Sequence, residues 1–404
     1  MPRSSIGVNH AGVQGWFSNS LSNSALHSAM LFGSYSHRRV MWQMKRQSYF
    51  STDDERNMAI CESDSIKRIN LAIQNPREAA TDSIILSVLC LATNRERPIG
   101  DHFQKSPFQS PLRSLQWLNV YGRLSSNPVH QAGLVQLVQL KGGLEKIEIP
   151  GLAGVIAYVL GASRFLTRPY FTYIPLQPGI SLMLEDVINS QVTRTYSPTD
   201  LYDEFPVTSE MQHIFRASRS YLALVQTYQD GIPIAMVTLA DYRNLVQWHI
   251  MSLSPVSELE GNIDELSPLY EPCRLALIIM GVGVIFPLPP QSAPLLYLAE
   301  MLQTDIRSKT DITQSLSLVG RKIKLWCLIV GTIAASGSAV RAWYMEELAF
   351  HAQLHCRPEW SEIKRDLNGI LWLDSACELA GSRIWVEALS LSNRKDLFRH
   401  TQRH

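Results

Sequence analysis

Apolar positions recur along this chain at three- and four-residue intervals, the period at which a helix gathers side chains on one face. Met58, Ile66, Ile69 and Ile73 form such a stripe behind Thr52-Asp53-Asp54-Glu55, which has capping-box spacing, and Asn75-Pro76 closes the segment. Thr81-Asp82 opens a nearly all-apolar run from Ile84 to Ala92, which predicts a helix buried on most sides. The next helix is the best punctuated. Asn127-Pro128 supplies an N-cap and a proline at the first helical position, and Leu134, Leu137, Val138 and Leu140 follow as the apolar face. Lys141-Gly142-Gly143 ends it, with a cation at the negative end of the dipole and glycine free to turn left-handed.

Gly151–Leu166 predicts a further helix running into Arg168-Pro169. From Pro175 to Val207 the periodicity fades among Pro, Ser, Thr and Asp, which predicts a long loop and a break between two halves. Met211, Ile214, Phe215, Ser218, Tyr221, Leu222, Val225 and Tyr228 then restore the helical period up to Asp230-Gly231. Helices over 238–252, 270–285, 294–303, 315–335, 339–355, 359–372 and 376–391 complete the reading. Period-2 strands and copied repeats are both missing. The expected fold is all-α, with about twelve to fifteen helices in antiparallel pairs packed as a large curved bundle or solenoid-like array. Residues 21–391 form the expected helical domain, with a sub-division at 175–207. Residues 1–20 and 392–404 are left as tails, the second basic through Arg394, Lys395, Arg399 and Arg403.

Composition sharpens the picture. Over 404 residues, 46% are hydrophobic and 18% charged, a globular balance too apolar for a disordered chain. A net charge of +1 argues against a nucleic-acid platform spread over the whole surface. Cys61, Cys90, Cys273, Cys327, Cys356 and Cys377 lie far apart without metal-ligand spacing; most sit within apolar helical stretches, where they read as small buried hydrophobes in a reducing compartment. The N-terminus has no apolar signal segment. The runs Leu275–Pro287 and Leu325–Ala335 are shorter than the ~20 residues of a spanning helix. Both predict central core helices.

Candidate chemistry is sparse. No G-x-S-x-G elbow occurs, and Ala335-Ser336-Gly337-Ser338 reads as a helix break. Gly281 and Gly283 lack the strand, third glycine and lysine of a phosphate loop, and read as packing glycines. His351 and His355 stand four apart beside Cys356, with Glu346 and Glu347 as the nearest further ligands, but read as a polar helix end. Asp53-Asp54-Glu55 suits a helix start, and Glu258, Glu260, Asp264 and Glu265 a polar loop. The expectation is therefore no catalytic, cofactor-binding or metal site, and not an enzyme.

A resemblance adds a functional expectation. Ala25-Leu26-His27 through Ser36-His37-Arg38-Arg39, Lys67–Leu71, Asn75-Pro76 and Thr81-Asp82 through Leu89 follow one another in a familiar order. His130, Gly133-Leu134, Leu137-Val138 and Lys141-Gly142-Gly143-Leu144 come next, then Pro169-Tyr170-Phe171. Leu325-Trp326 to Gly331, Ala334-Ala335 and Arg341-Ala342-Trp343 follow, with Trp360 and Trp385 beyond. Roughly Ser22 to Glu387 resembles the fungal-specific transcription factor domain, the all-helical regulatory region of zinc binuclear cluster regulators. The resemblance implies a nuclear transcription regulator acting through protein contacts, as a homodimer or in a heteromer with another regulator, with room for a small-molecule effector and no membrane. Members of that family place six cysteines in a short N-terminal zinc cluster; this chain has none before Cys61 and no C-x-x-C. Direct DNA binding is therefore not expected of this chain unless such a cluster lies upstream of Met1. The alternative is a dimeric helical adaptor or scaffold without a transcriptional role.

Overall fold

A computed structural model describes residues 10–45, 50–95, 105–162, 169–177, 179–190, 201–259, 268–309, 316–354 and 358–401. The fold is all-α. Among the described residues there is no strand, only a single antiparallel bridge between Arg95 and Ser125. Seventeen α-helices occur there, more than expected because the turns at Pro76–Ala79, Leu118–Tyr121 and Leu184–Ile188 are short helices.

The chain divides into two units. The first takes in Met1–Gln104, Arg113–Leu182 and Ala235–Trp248; the second takes in Lys105–Leu112, Met183–Ile234 and His249–His404. The crossing at Leu182 and Met183 lies within 175–207, but the chain also crosses around 105–112 and inside one helix at 248–249.

The first unit holds α1 (His10–Ser22), α2 (Ser24–Lys45), α3 (Thr52–Ala72), α4 (Pro76–Ala79), α5 (Asp82–Thr93), α6 (Leu118–Tyr121), α7 (Pro128–Lys141) and α8 (Leu152–Ala162). Residues 10–20, read as tail from sequence, are helical as part of α1, and Trp16 Nε1 fixes them by donating to Pro150 O at 3.2 Å. Helices α2 and α3 form an antiparallel hairpin, in which Ser24 meets Arg68, Ser28 meets Asp64, and Arg38 meets Asp54. The cap of α3 lies one residue earlier than expected. Ser51 Oγ accepts from Asp54 N at 3.1 Å, and Asp54 Oδ2 accepts from Ser51 N at 2.9 Å. The neighbouring hydroxyls and acids of Ser51-Thr52-Asp53-Asp54-Glu55 allow two registers, and the extended backbone of Ser51 selects the first. Ser51→Ala is expected to lower stability by about 1 kcal/mol in urea denaturation. Helix α5 carries the core of this unit. Ile84 through Leu89 are all buried, and they pack with Leu26, Phe32, Leu134, Val138 and Ile156.

The second unit holds α9 (Leu184–Ile188), α10 (Ser209–Gln229), α12 (Tyr270–Met280), α13 (Leu295–Ser308), α14 (Leu318–Ala334), α15 (Val340–Leu354), α16 (Trp360–Ile370) and α17 (Asp374–Thr401). Helix α11 (Met236–Ser252) carries the chain from one unit to the other. The stretch 175–207 is thus not all loop: it contains α9 and a 3-10 turn at Leu201–Glu204. The apolar run after Leu275 is α12 continued by a π-helical turn, Gly281–Ile285, in which every residue is buried. In α14, Trp326 is fully buried and its Nε1 donates to Leu371 O at 2.8 Å. Helix α17 reaches Thr401, so most of 392–404 is helical. No helix of the described residues is long and apolar enough to cross a membrane.

Candidate functional site

Helix α11 carries an unusual load. Asp241, Arg243, Asn244 and Gln247 are all buried, at 2%, 0%, 5% and 3% exposure, among Leu239, Ala240, Leu245, Val246 and Ile250. Buried polar groups of this kind need partners, and charges need them most. Asp241 finds its partners in the 173–177 stretch of the first unit. Its carboxylate accepts from Leu176 N at 2.7 Å, Gln177 N at 3.4 Å, Gln177 Nε2 at 3.2 Å and the Tyr173 hydroxyl at 3.3 Å. Burial pushes the Asp241 carboxyl above its ordinary range, while these four donors hold it down. Burial and the Asp241 charge together keep the Tyr173 phenol protonated.

Arg243 turns the other way around the helix. Its Nη1 donates to Leu115 O at 3.1 Å, its Nε to Asn244 Oδ1 at 3.2 Å, and its Nη2 to Gln116 Oε1 and, at 3.3 Å, Asn244 Oδ1. Asn244 Nδ2 donates to the same Gln116 oxygen at 3.1 Å. The Tyr158 phenol lies against this guanidinium; burial raises its pKa and the cation opposes the rise.

These bonds hold a strained turn. Gln116 and Trp117 both have φ of 56°, a left-handed pair without glycine. Each such residue costs on the order of 1–3 kcal/mol, and persists only where its surroundings over-determine it. Arg243 and Asn244 grip the Gln116 side chain, while Trp117 packs with the buried Val40, Val120 and Leu124. The His37 ring meets Trp117 edge-on at 5.1 Å and tilts against Tyr121 at 5.5 Å. Burial lowers the His37 pKa, favouring the neutral ring. Buried polar atoms with no hydrogen-bond partner include His37 Nδ1, Asn119 Oδ1 and both ends of the Gln247 amide. A guanidinium, amides and phenols in this arrangement bind and orient; none is a nucleophile set beside a base.

The sequence reading missed this cluster. The one local signal was the string Asp241-Tyr242-Arg243-Asn244 inside an otherwise apolar helix, and helix position alone does not name the partners. The residues singled out from sequence lie elsewhere. Asp54 serves the α3 cap and Arg38, and Glu55 lies 3.8 Å from Arg39. Ser336 follows α14 in a turn where Gly337 has φ of 78°. Gly283 lies in the π-helical turn, where a Cβ would come within 2.5 Å of the Phe108 ring, so it is a packing glycine. His351, Glu346 and Glu347 are on α15, with Glu347 3.9 Å from Lys324; His355 and Cys356 lie outside the described residues. Glu258 closes a 3-10 turn, and Glu260, Asp264 and Glu265 lie outside the described residues. Cys61, Cys90, Cys273, Cys327 and Cys377 are free thiols, and burial pushes Cys90 and Cys377 up to about 12. Among the described residues no three His, Cys, Asp or Glu side chains are grouped to hold a metal ion.

One further titratable cluster lies in the second unit. His213 Nε2 is 3.5 Å from Glu185 Oε1, and both act electrostatically on His249. Burial dominates there and lowers the His249 pKa to about 4 from an ordinary 6.5. The unfolded chain then takes up a proton that the folded chain refuses. The stability this contributes is complete above pH about 6.5 and lost as pH falls through about 4. His249→Gln is expected to flatten that part of the melting-temperature profile; an unchanged slope would assign the acid sensitivity to other groups.

The fold and this cluster define an all-helical protein with a buried polar seat in its first unit. No protein-family model, no curated protein and no solved structure matches the chain.

Proposed function

We propose that the chain is the helical regulatory core of a fungal transcription regulator of the zinc-cluster type, acting in the nucleus through protein contacts and not by catalysis. In this reading the chain makes protein contacts, and DNA is read by a zinc cluster, whether on a partner or upstream of Met1. The supporting observation is the behaviour of its two most family-like blocks. Thr81 through Leu89 and His130 through Leu144 meet as α5 and α7, joined by the Lys141–Asp82 ion pair at 2.8 Å. The Lys-Gly-Gly ending works as a helix stop, with Gly142 at φ 100° and Gly143 at φ 113°. A motif whose residues each bear on one joint is better support for kinship than scattered identities are. The test is transcript profiling of a deletion strain. Altered expression of a defined gene set is expected, and a wild-type profile would sink the proposal.

A second reading, a helical adaptor without a transcriptional role, draws on the exposed apolar pairs Phe17 and Leu21 on α1 and Phe350 and Leu354 on α15. One-turn spacing on a helix surface suits contact with a partner helix. Affinity purification of the full chain separates the two, since transcription machinery or a zinc-cluster regulator should co-purify only under the first.

A further inference from the structure

We propose that Arg243 is the seat of a binding site for a small organic carboxylate, and that Gln116 and Asn244 are its internal stand-ins. The proposal is independent of the transcriptional reading.

Gln116 Oε1 and Asn244 Oδ1 both accept from the Arg243 guanidinium, Asn244 at Nε and both at Nη2. A carboxylate in a fork-to-fork pair presents one oxygen to each of two guanidinium nitrogens, and Nε and Nη2 are the two that these amide oxygens now serve. Hydrogen bonds between a guanidinium and a carboxylate are shorter and roughly twice as strong as those to neutral oxygens. A carboxylate would therefore displace the amides where it can reach them. Gln116 supplies the way in, because it is only partly buried while Arg243 is wholly so.

Charge favours a monoanion. Asp241 stands two residues from Arg243 on the same helix, and its own carboxylate is satisfied by four donors of the 173–177 stretch. A phosphate dianion would add more negative charge than one guanidinium offsets beside that group. The surroundings favour a flat, partly apolar body: Trp117 and Tyr121 pack around His37, and Tyr158 lies against the guanidinium. Gln247 follows Asn244 and Arg243 by three and four residues, on the same side of α11. Its unpartnered, 97%-buried amide offers a donor and an acceptor to a ligand's further polar groups. The strained turn contributes as well. The bond from Arg243 helps to hold Gln116 and Trp117 left-handed, so its release lets that backbone relax and offsets part of the cost of displacement.

The experiment uses the full chain with benzoate as probe and benzamide as its neutral isostere, read by melting temperature at constant ionic strength. Benzoate should raise the melting temperature saturably across the millimolar range while benzamide does not, and Arg243→Gln should abolish the response. Gln116→Ala removes a stand-in and leaves the guanidinium, so it should bind benzoate roughly fivefold more tightly, the worth of about one net hydrogen bond. If Arg243→Gln fails to fold, the Gln116→Ala arm decides. No saturable rise, an equal rise with benzamide, a benzoate response that persists in a folded Arg243→Gln variant, or unchanged affinity in Gln116→Ala overturns the proposal.

Discussion

Asp82→Ala is expected to remove about 3–4 kcal/mol of stability, as a fall in the urea midpoint with little change in slope. The size follows from what one side chain ties together. Asp82 Oδ2 accepts from Glu148 N at 2.7 Å and Ile149 N at 2.8 Å, and Oδ1 stands 2.8 Å from Lys141 Nζ. The start of α5, the end of α7 and the strap leading into α8 therefore meet on a single carboxylate. Its side chain is 10% exposed and that of Lys141 16%, so water screens the pair poorly and cannot fully replace it. Alanine leaves two backbone N–H groups without their acceptor and the Lys141 ammonium with a longer bond to Ala80 O at 3.4 Å, and removing one partner of such a pair is the costly case. Asp82→Asn keeps one oxygen for the two N–H groups and should lose about half as much. Lys141→Met leaves Asp82 its backbone donors and should cost least, about 1 kcal/mol. Equal losses in all three variants would mean that the cation dominates the joint. A loss below about 0.5 kcal/mol for the alanine variant would make it an ordinary surface pair.

The same joint shows why some of this fold is legible in sequence. Helix α7 is bounded by local chemistry: Asn127 Oδ1 accepts from Val129 N at 3.1 Å and His130 N at 3.4 Å, and Gly142 turns left-handed at the far end. Every element of that signal lies within sixteen residues of chain, Asn127 to Gly142. Asp82 was legible only by half. Its place at a helix start could be read, whereas its bonds to residues 148 and 149 could not, because they close 66 and 67 residues later. Of the candidate site only the polar string Asp241-Tyr242-Arg243-Asn244 is local, and its partners are not. Arg243 finds Leu115 and Gln116 across 128 and 127 residues, and the left-handed turn at Gln116–Trp117 carries no glycine to announce it. Helix α1 was hidden for a different reason. Its thirteen residues are mostly Gly, Ser, Asn and other weak helix formers, and it is held by the tertiary bond of Trp16.

Gly331→Ala is expected to cost about 2–4 kcal/mol, although alanine in a free helix is better than glycine by about 1 kcal/mol. The obstacle is Tyr344. A Cβ on Gly331 of α14 would stand 2.6 Å from the ring Cε1 of Tyr344 on α15, and 2.8 Å from its oxygen. The ring has nowhere to go without loss. Tyr344 is fully buried, its hydroxyl donates to Ala299 O of α13 at 2.7 Å, and its edge meets Trp343 at 4.9 Å. Moving it to admit a methyl group breaks a buried hydrogen bond and separates three helices from their shared contact. A double-mutant cycle isolates this cause. Tyr344→Phe removes the hydroxyl and keeps the ring, so Gly331→Ala should remain costly in that background. Tyr344→Leu removes the ring, and there the same substitution should become neutral or stabilising as helix propensity takes over. Were the cost identical in the wild-type and leucine backgrounds, the ring would not be what keeps residue 331 a glycine, and α14 would have to owe that residue to its own backbone.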